Sequence, residues 1–208
     1  MPSMVLDHCE RSVELTRPED VASTALRLMD GFGAPWCVAG GWALDLFLGR
    51  VTRPHTDLEL AIFRRDQSRL HTHFQGWTFR VAVNGQREAW QSDDYLESPL
   101  HEIHASSADE PPEEVEFLLN ERDAERWVFR RDPAIVLPLE RAIVPSGFAV
   151  PVLSPEIVLL FKSKSPRPKD QADFQAAASL LGNSRRRWLG SALSVCEPSH
   201  PWVRELDR

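Results

Sequence analysis

Lysine is almost missing from this chain. Of 24 basic residues in 208, three are lysine, at Lys162, Lys164 and Lys169, and the others are arginine. A lysine is a compact point charge on a flexible stem, unlike the planar arginine fork. Its confinement to one short stretch marks that stretch as a candidate phosphate contact, with base composition as the rival explanation. Cysteine is nearly as scarce. Cys9, Cys37 and Cys196 are far apart, odd in number and without a CxxC pair. That excludes a disulfide framework and a zinc knuckle, and suits a reducing compartment. No apolar run approaches the roughly 20 residues that span a bilayer. The N-terminus has no cationic start followed by an apolar stretch, so no secretory signal is visible and a cytoplasmic location is expected. Excess positive charge is missing too. A net charge of −7 excludes a general nucleic-acid coat, which needs a basic surface, while leaving room for a local basic pocket. No Gly-x-Ser-x-Gly elbow occurs, against a serine hydrolase. His71 with His73, and His101 with His104, have spacings zinc could use, but no cysteines or added acids join them and zinc is not expected.

What is present centres on residues 38–62. Val38-Ala39-Gly40-Gly41-Trp42 closes an apolar run with a glycine pair at a predicted helix start, where backbone N–H groups can cradle a phosphate. Thr52-Arg53-Pro54-His55-Thr56-Asp57-Leu58-Glu59-Leu60-Ala61-Ile62 follows as a strand-like segment. Side chains alternate along a strand, so Asp57 and Glu59 share one face and Leu58, Leu60 and Ile62 take the other. Two adjacent acids repel unless a cation lies between them. An anion-binding turn beside paired carboxylates is what a Mg²⁺-assisted phosphoryl site requires.

The chain around this centre reads as mixed α/β followed by helices. Residues 1–12 show no pattern and are expected to be frayed. Thr16 or Asp20 is expected to cap a helix running to Met29, ended by Gly31 and Gly33. A strand over 36–39 and a helix over 42–48, stopped by Gly49, come next. After the acidic strand, Asp66 is expected to cap a helix continuing to about Phe74. Strands are expected over 77–83 and 86–90, joined by an Asn84-Gly85 hairpin turn. Further strands are expected over 100–105, 114–119 and 127–130. Pro133, Pro138, Pro145 and Pro151 are expected to space irregular segments. Ser154-Pro155-Glu156 is a strong helix start, with serine as cap and proline first. Helices are then expected to about Ser163, over 169–181 and over 186–195. The boundary falls near residue 153, dividing a core (1–153) from a helical segment (154–208).

The residues Gly40-Gly41-Trp42-Ala43-Leu44-Asp45-Leu46-Phe47-Leu48-Gly49-Arg50, with Thr52-Arg53-Pro54-His55-Thr56-Asp57-Leu58-Glu59, resemble the pattern of the nucleotidyltransferase superfamily. The aminoglycoside and lincosamide branch is the nearest, and the likeness covers about residues 36–66. The resemblance implies a nucleotidyltransferase α/β core with a small mixed sheet, and transfer of a nucleoside monophosphate from an NTP to an acceptor hydroxyl. It implies Mg²⁺ (or Mn²⁺) held by Asp57 and Glu59, and phosphates bound at Gly40 and Gly41, with His55 orienting the strand or touching phosphate. The family's third carboxylate falls on Glu116, with Glu114 as fallback, as a metal ligand or as the base for the acceptor. Glu59 departs from the commoner aspartate, and its longer arm shifts the ion.

Phe161-Lys162-Ser163-Lys164, Arg167, Lys169-Asp170 and Asp173-Phe174 resemble a phosphate-facing pattern in the family's C-terminal helices. Lys162 and Lys164 lie about 200° apart on a helix, so only one is expected to face the pocket. The expected acceptor is a small antibiotic of the aminoglycoside kind, and the expected state is monomer or homodimer. Two alternatives stay open: a toxin-like transferase acting on tRNA or protein, and a degenerate, non-catalytic binding or antitoxin-like protein.

Overall fold

The computed structural model describes residues 15–109 and 111–207. The N-terminal stretch expected to be frayed lies outside them.

Helix α1 (Pro18–Leu28) buries Val21, Ala25 and Leu28. Its cap is neither Thr16 nor Asp20. Arg17 takes that position and its guanidinium pairs with Asp20 in the first turn. Strand β1 (Trp36–Val38) leads into helix α2 (Gly40–Leu48). Gly40 has φ +60°, a left-handed conformation open to glycine at little steric cost, and Gly49 in the same region ends the helix.

Strand β2 (Glu59–Phe63) begins at Glu59, so Asp57 lies in the preceding loop and not on the strand. The helix expected over 64–74 is split into a 3₁₀ turn (Arg64–Asp66) and a short α3 (Arg69–His73), and Asp66 does not cap it. Strands β3 (Thr78–Val83) and β4 (Gln86–Ala89) form the expected hairpin, with positive φ at both Asn84 and Gly85. Strands β5 (Glu102–Ser106), β6 (Glu114–Asp123) and β7 (Arg126–Val128) follow.

The proline-spaced region is not irregular. It holds β8 (Val136–Pro138), α4 (Leu139–Ala142), β9 (Ile143–Pro145) and β10 (Pro151–Leu153). Pro138, Pro145 and Pro151 sit at strand ends, where the missing N–H interrupts no ladder, and Pro133 lies in the turn before β8. Four helices close the described chain: α5 (Pro155–Lys162), α6 (Pro168–Ala178), α7 (Asn183–Cys196) and α8 (Pro201–Leu206). The last lies beyond the helices expected from sequence, although Pro201 at its first position and His200 as its cap are visible start signals. Ser154 precedes α5 as expected, but its hydroxyl makes no capping bond.

The sheet is mixed, in the order β4-β3-β5-β6-β2-β1-β10-β9, with β7 and β8 continuing from the end of β6. It is larger than the small sheet expected because β9 and β10 join it. Strand β10 runs parallel to β1, bringing Val152 beside Val38. That pairing places α5 directly beyond the β1–α2 turn, and α5 packs on α2 and α7. Beyond Glu59, both faces of β2 are buried, since Ala61 and Phe63 are as covered as Leu60 and Ile62. Cys37 and Cys196 are free thiols, and no helix among the described residues is long and apolar enough to cross a membrane.

The C-terminal helices are locked by stacked rings. Phe174 of α6 lies parallel to Trp202 of α8 with centroids 4.2 Å apart, and both are buried. Phe174→Ala is expected to cost about 3–5 kcal/mol, read as a fall in the denaturant midpoint.

Candidate active site

The glycine pair is shaped by what it touches. A Cβ on Gly40 would lie 1.4 Å from Glu59 Oε2, and one on Gly41 would lie 2.3 Å from the His55 ring. Glu59 therefore folds across the start of α2, where its carboxylate accepts a hydrogen bond from the Gly41 N–H. The turn expected to cradle phosphate already cradles one anion.

Strand register supplies the next carboxylate. Glu59 pairs with Glu116 across the parallel β2–β6 ladder, and Glu116 pairs with His104 across β6–β5. A lateral row Glu59–Glu116–His104 results. Glu102 lies diagonally, its carboxylate 2.9 Å from His104 Nε2, while Glu114 and Glu116 approach Nδ1 at 3.2 and 3.5 Å. Burial and the charges of Glu102, Glu59, Asp57 and Glu114 push the Glu116 carboxyl up to about 7. Burial also raises Glu59; Lys162 and the Gly41 N–H oppose the rise, and Asp57 and Glu102 add to it. Asp57 is exposed on its loop, its carboxylate held by the Thr56 hydroxyl at 2.7 Å.

Cations face this row from the C-terminal helices. Lys162 Nζ lies 3.2 Å from Asp170 and 2.9 Å from Asp173. Arg53 grips Asp173 with two bonds of 2.8 and 2.9 Å, tying the 52–57 loop to α6. Arg167 pairs with Asp170 at 2.9 Å. Burial disfavours the Asp170 charge, but hydrogen bonds from Arg167 and the Lys162 charge prevail and hold its carboxyl down at about 2. The same balance lowers Asp173, through Arg53 and Lys162. Fully buried Asp45 of α2 secures the other end of the loop. It accepts from the Thr52 N–H and hydroxyl and meets His55 Nε2 at 2.6 Å. The His55 ring rests on Trp42 with centroids 4.5 Å apart.

The cleft has two lobes that share Glu59, Glu102 and Arg167. The polar lobe, about 310 Å³, gathers Gly41, His55, Asp57, Glu59, Glu116, Lys162 and Lys169. The other, about 270 Å³, lies between Gly40, the β6 face and α5, and includes Arg130, Arg131 and Phe161. All the anticipated site residues except Lys164 line one lobe or the other. Lys164 is exposed and lines neither, because α5 ends at Lys162 and Lys164 falls in the bend beyond it, where the angular argument for a helix does not apply. His71 packs against Phe79 and Trp90, and His73 Nε2 bonds the Leu28 carbonyl at 2.7 Å.

Four residues of this neighbourhood do not stand out in the sequence as site residues: Asp45, Arg53, Glu102 and Arg130. Asp45, a lone acid in an otherwise apolar helix, carries a readable signal. Arg53–Asp173 spans 120 positions and carries none.

The sequence profile of the aminoglycoside-2″-adenylyltransferase family matches residues 22–176. The chain belongs to that family. It is accordingly a nucleotidyltransferase, and solved structures share its fold. The crystal structure of ANT(2″)-Ia with adenylyl-2″-tobramycin aligns at TM-score 0.54 and 20% identity, covering 85% of this chain and 98% of that one. Lincomycin-bound LnuA, a lincosamide antibiotic adenylyltransferase, aligns at TM-score 0.54 and 16% identity, covering 78% and 98%. No curated protein sequence matches the chain.

The carboxylate row of this family member sets a stability prediction. Glu116 holds its proton up to about 7 in the folded protein, whereas the unfolded chain releases it at the ordinary carboxylate value. The native state then binds more protons across that interval, so stability falls as pH rises through it. Glu116→Gln removes the penalty. In metal-free buffer above pH 7 the variant is expected to be more stable by about 1–2 kcal/mol after solvent screening, with no gain near pH 4. Thermal unfolding across pH measures the crossover.

Proposed function

We propose that this protein transfers a nucleoside monophosphate from an NTP to a hydroxyl of a small antibiotic acceptor, of the class represented by tobramycin and lincomycin in the aligned structures. One observation carries the reading. Strand register sets Glu59 beside Glu116, with Asp57 adjacent, at the Gly40-Gly41 turn and opposite Lys162.

The donor types suit a divalent cation, while the ligand atoms that already converge, within 4.8 Å of one another among the described residues, are those of Glu116, Glu102 and His104. Three carboxylates supply hard oxygen ligands, and a cation would relieve both the burial and the neighbouring negative charge that raise the Glu116 and Glu59 carboxyls. Asp57, Glu59 and Glu116 would hold Mg²⁺ or Mn²⁺, which when bound neutralises phosphate oxygens and supports in-line attack at the α-phosphorus.

The protein's own groups do the rest. The Gly40 and Gly41 amides bind phosphate oxygens, and Lys162, steered by Asp170 and Asp173, faces the charge that develops on the leaving pyrophosphate. Glu116 accepts the proton of the acceptor hydroxyl as the new oxygen–phosphorus bond forms and the α–β bond breaks. His55, fixed by Asp45, holds the loop that presents Asp57. Lys169 adds positive charge at the mouth of the polar lobe.

Asp57→Asn is expected to lower transfer of labelled NMP to tobramycin or lincomycin by about 10²–10³-fold, without loss of the thermal transition. Wild-type turnover in that variant would refute the assignment. Transfer by the native protein to total tRNA instead of either antibiotic would favour the toxin-like reading. Absence of Mg²⁺-dependent NTP binding would favour a non-catalytic one.

A further inference from the structure

We infer that Arg130 is an anion-binding residue of the cleft, taking a phosphate or carboxylate oxygen of a substrate in the lobe between β6 and α5. Arg130 and its neighbour Arg131 both lack a carboxylate at ion-pair distance, but Arg131 donates to the Phe161 carbonyl whereas Arg130 is left without a polar partner among the described residues. Three other arginines in or beside the cleft each have a carboxylate: Arg53 has Asp173, Arg167 has Asp170, and Arg64 has Glu121 at 2.6 Å. Arg130 has no carboxylate within ion-pair distance and no hydrogen bond among the described residues. Its guanidinium carbon lies 5.2 Å from the centre of the Phe161 ring, and that is its contact. A half-buried cation without a counter-charge is costly, so such a group is retained where a ligand completes it.

The position is rigid and well placed. Buried Phe129 anchors the turn, with its N–H on the Ile135 carbonyl and its own carbonyl taking the Asp132 N–H. Arg131 donates to the Phe161 carbonyl at 3.1 Å, pinning the same turn to α5. Burial, with Arg131 and Arg64 nearby, pushes the Arg130 guanidinium down to about 10, against a partial opposing pull from Glu102 and Glu121. The lobe reaches Gly40 and Glu59, so an anion on Arg130 lies in the same cleft as the carboxylate row. A guanidinium fork suits two oxygens of one phosphate or carboxylate. Either the nucleotide's phosphates or an acidic group on the acceptor supplies that chemistry, and which one it is rests on the transferase reading.

The test uses the full chain without metal, titrated with inorganic pyrophosphate and, separately, with glucuronate as a sugar carboxylate. Arg130→Gln is expected to weaken one of them about ten-fold or more, and Arg130→Lys to restore part of it. Loss confined to pyrophosphate assigns the site to the nucleotide; loss confined to glucuronate assigns it to the acceptor. Unchanged binding of both overturns the inference. Should Arg130→Gln fail to fold, the Arg130 Nε–H resonance of the native protein decides the matter: it moves on adding a probe, or the inference fails. Failure of the transferase reading looks different, as missing Mg·NTP binding with Arg130-dependent anion binding intact.

Discussion

Repulsion among carboxylates that the sheet holds in register organises this molecule. The parallel ladder between β2 and β6 aligns Glu59 with Glu116, and the antiparallel ladder beyond it adds His104. Backbone hydrogen bonds fix these strands over several residues, so the acids cannot separate without breaking the sheet. Burial first, and then the neighbouring acids, raise the proton affinity of Glu116 and Glu59. The Gly41 N–H and the Lys162 charge offset the rise at Glu59 and, on the proposed reading, a divalent cation does so for the row.

The offset depends on parts of the chain that are remote in sequence. Lys162 ends α5, and its ammonium is shared between Asp170 and Asp173 of α6. Asp173 is also gripped by Arg53 from the loop carrying Asp57, and the far side of that loop is tied to α2 through Asp45 and His55. Loop, α2, α5 and α6 thus form one charge-linked frame. A buried pair of this kind is weak evidence for net stability, because desolvation opposes the Coulomb gain. Its value is geometric. It holds an ammonium in front of the acids when nothing else in the frame would stop a flexible side chain from swinging into solvent.

This division explains which features are legible in the sequence. The glycine turn, the acid pair and the hairpin at Asn84-Gly85 are local, written in adjacent residues whose geometry follows from φ restrictions and side-chain alternation. Glu116 is reachable through the family resemblance, which asks for a third carboxylate on a later strand; alternation along β6 alone does not separate it from Glu114 on the same face. For Asp57 the pattern points to the right neighbourhood but the wrong element, since the strand signal runs smoothly into a loop held by contacts through Asp45, Arg53 and Trp42. The strands β8 to β10 hide behind their prolines, which mark strand ends here instead of breaks. Glu102 and Arg130 have no local mark at all, because their meaning lies in what stands opposite them after folding.

Glu59 is where length, and not only charge, decides the site. Its extra methylene relative to aspartate carries the carboxylate over Gly40, close enough that any Cβ there would collide with it. Glycine at position 40 is therefore required twice, by its positive φ and by the acid folded against it. The same reach lets Glu59 take the Gly41 N–H, one of the amides that the proposed phosphate would use. Nucleotide binding on this reading exchanges one anion for another at the start of α2, freeing the carboxylate to turn toward a cation shared with Asp57 and Glu116. A shorter aspartate could not make the first contact from the same backbone position. On the proposed reading, Glu59 and a phosphate compete for the same Gly41 N–H, so the acid at position 59 and the turn at 40–41 act together.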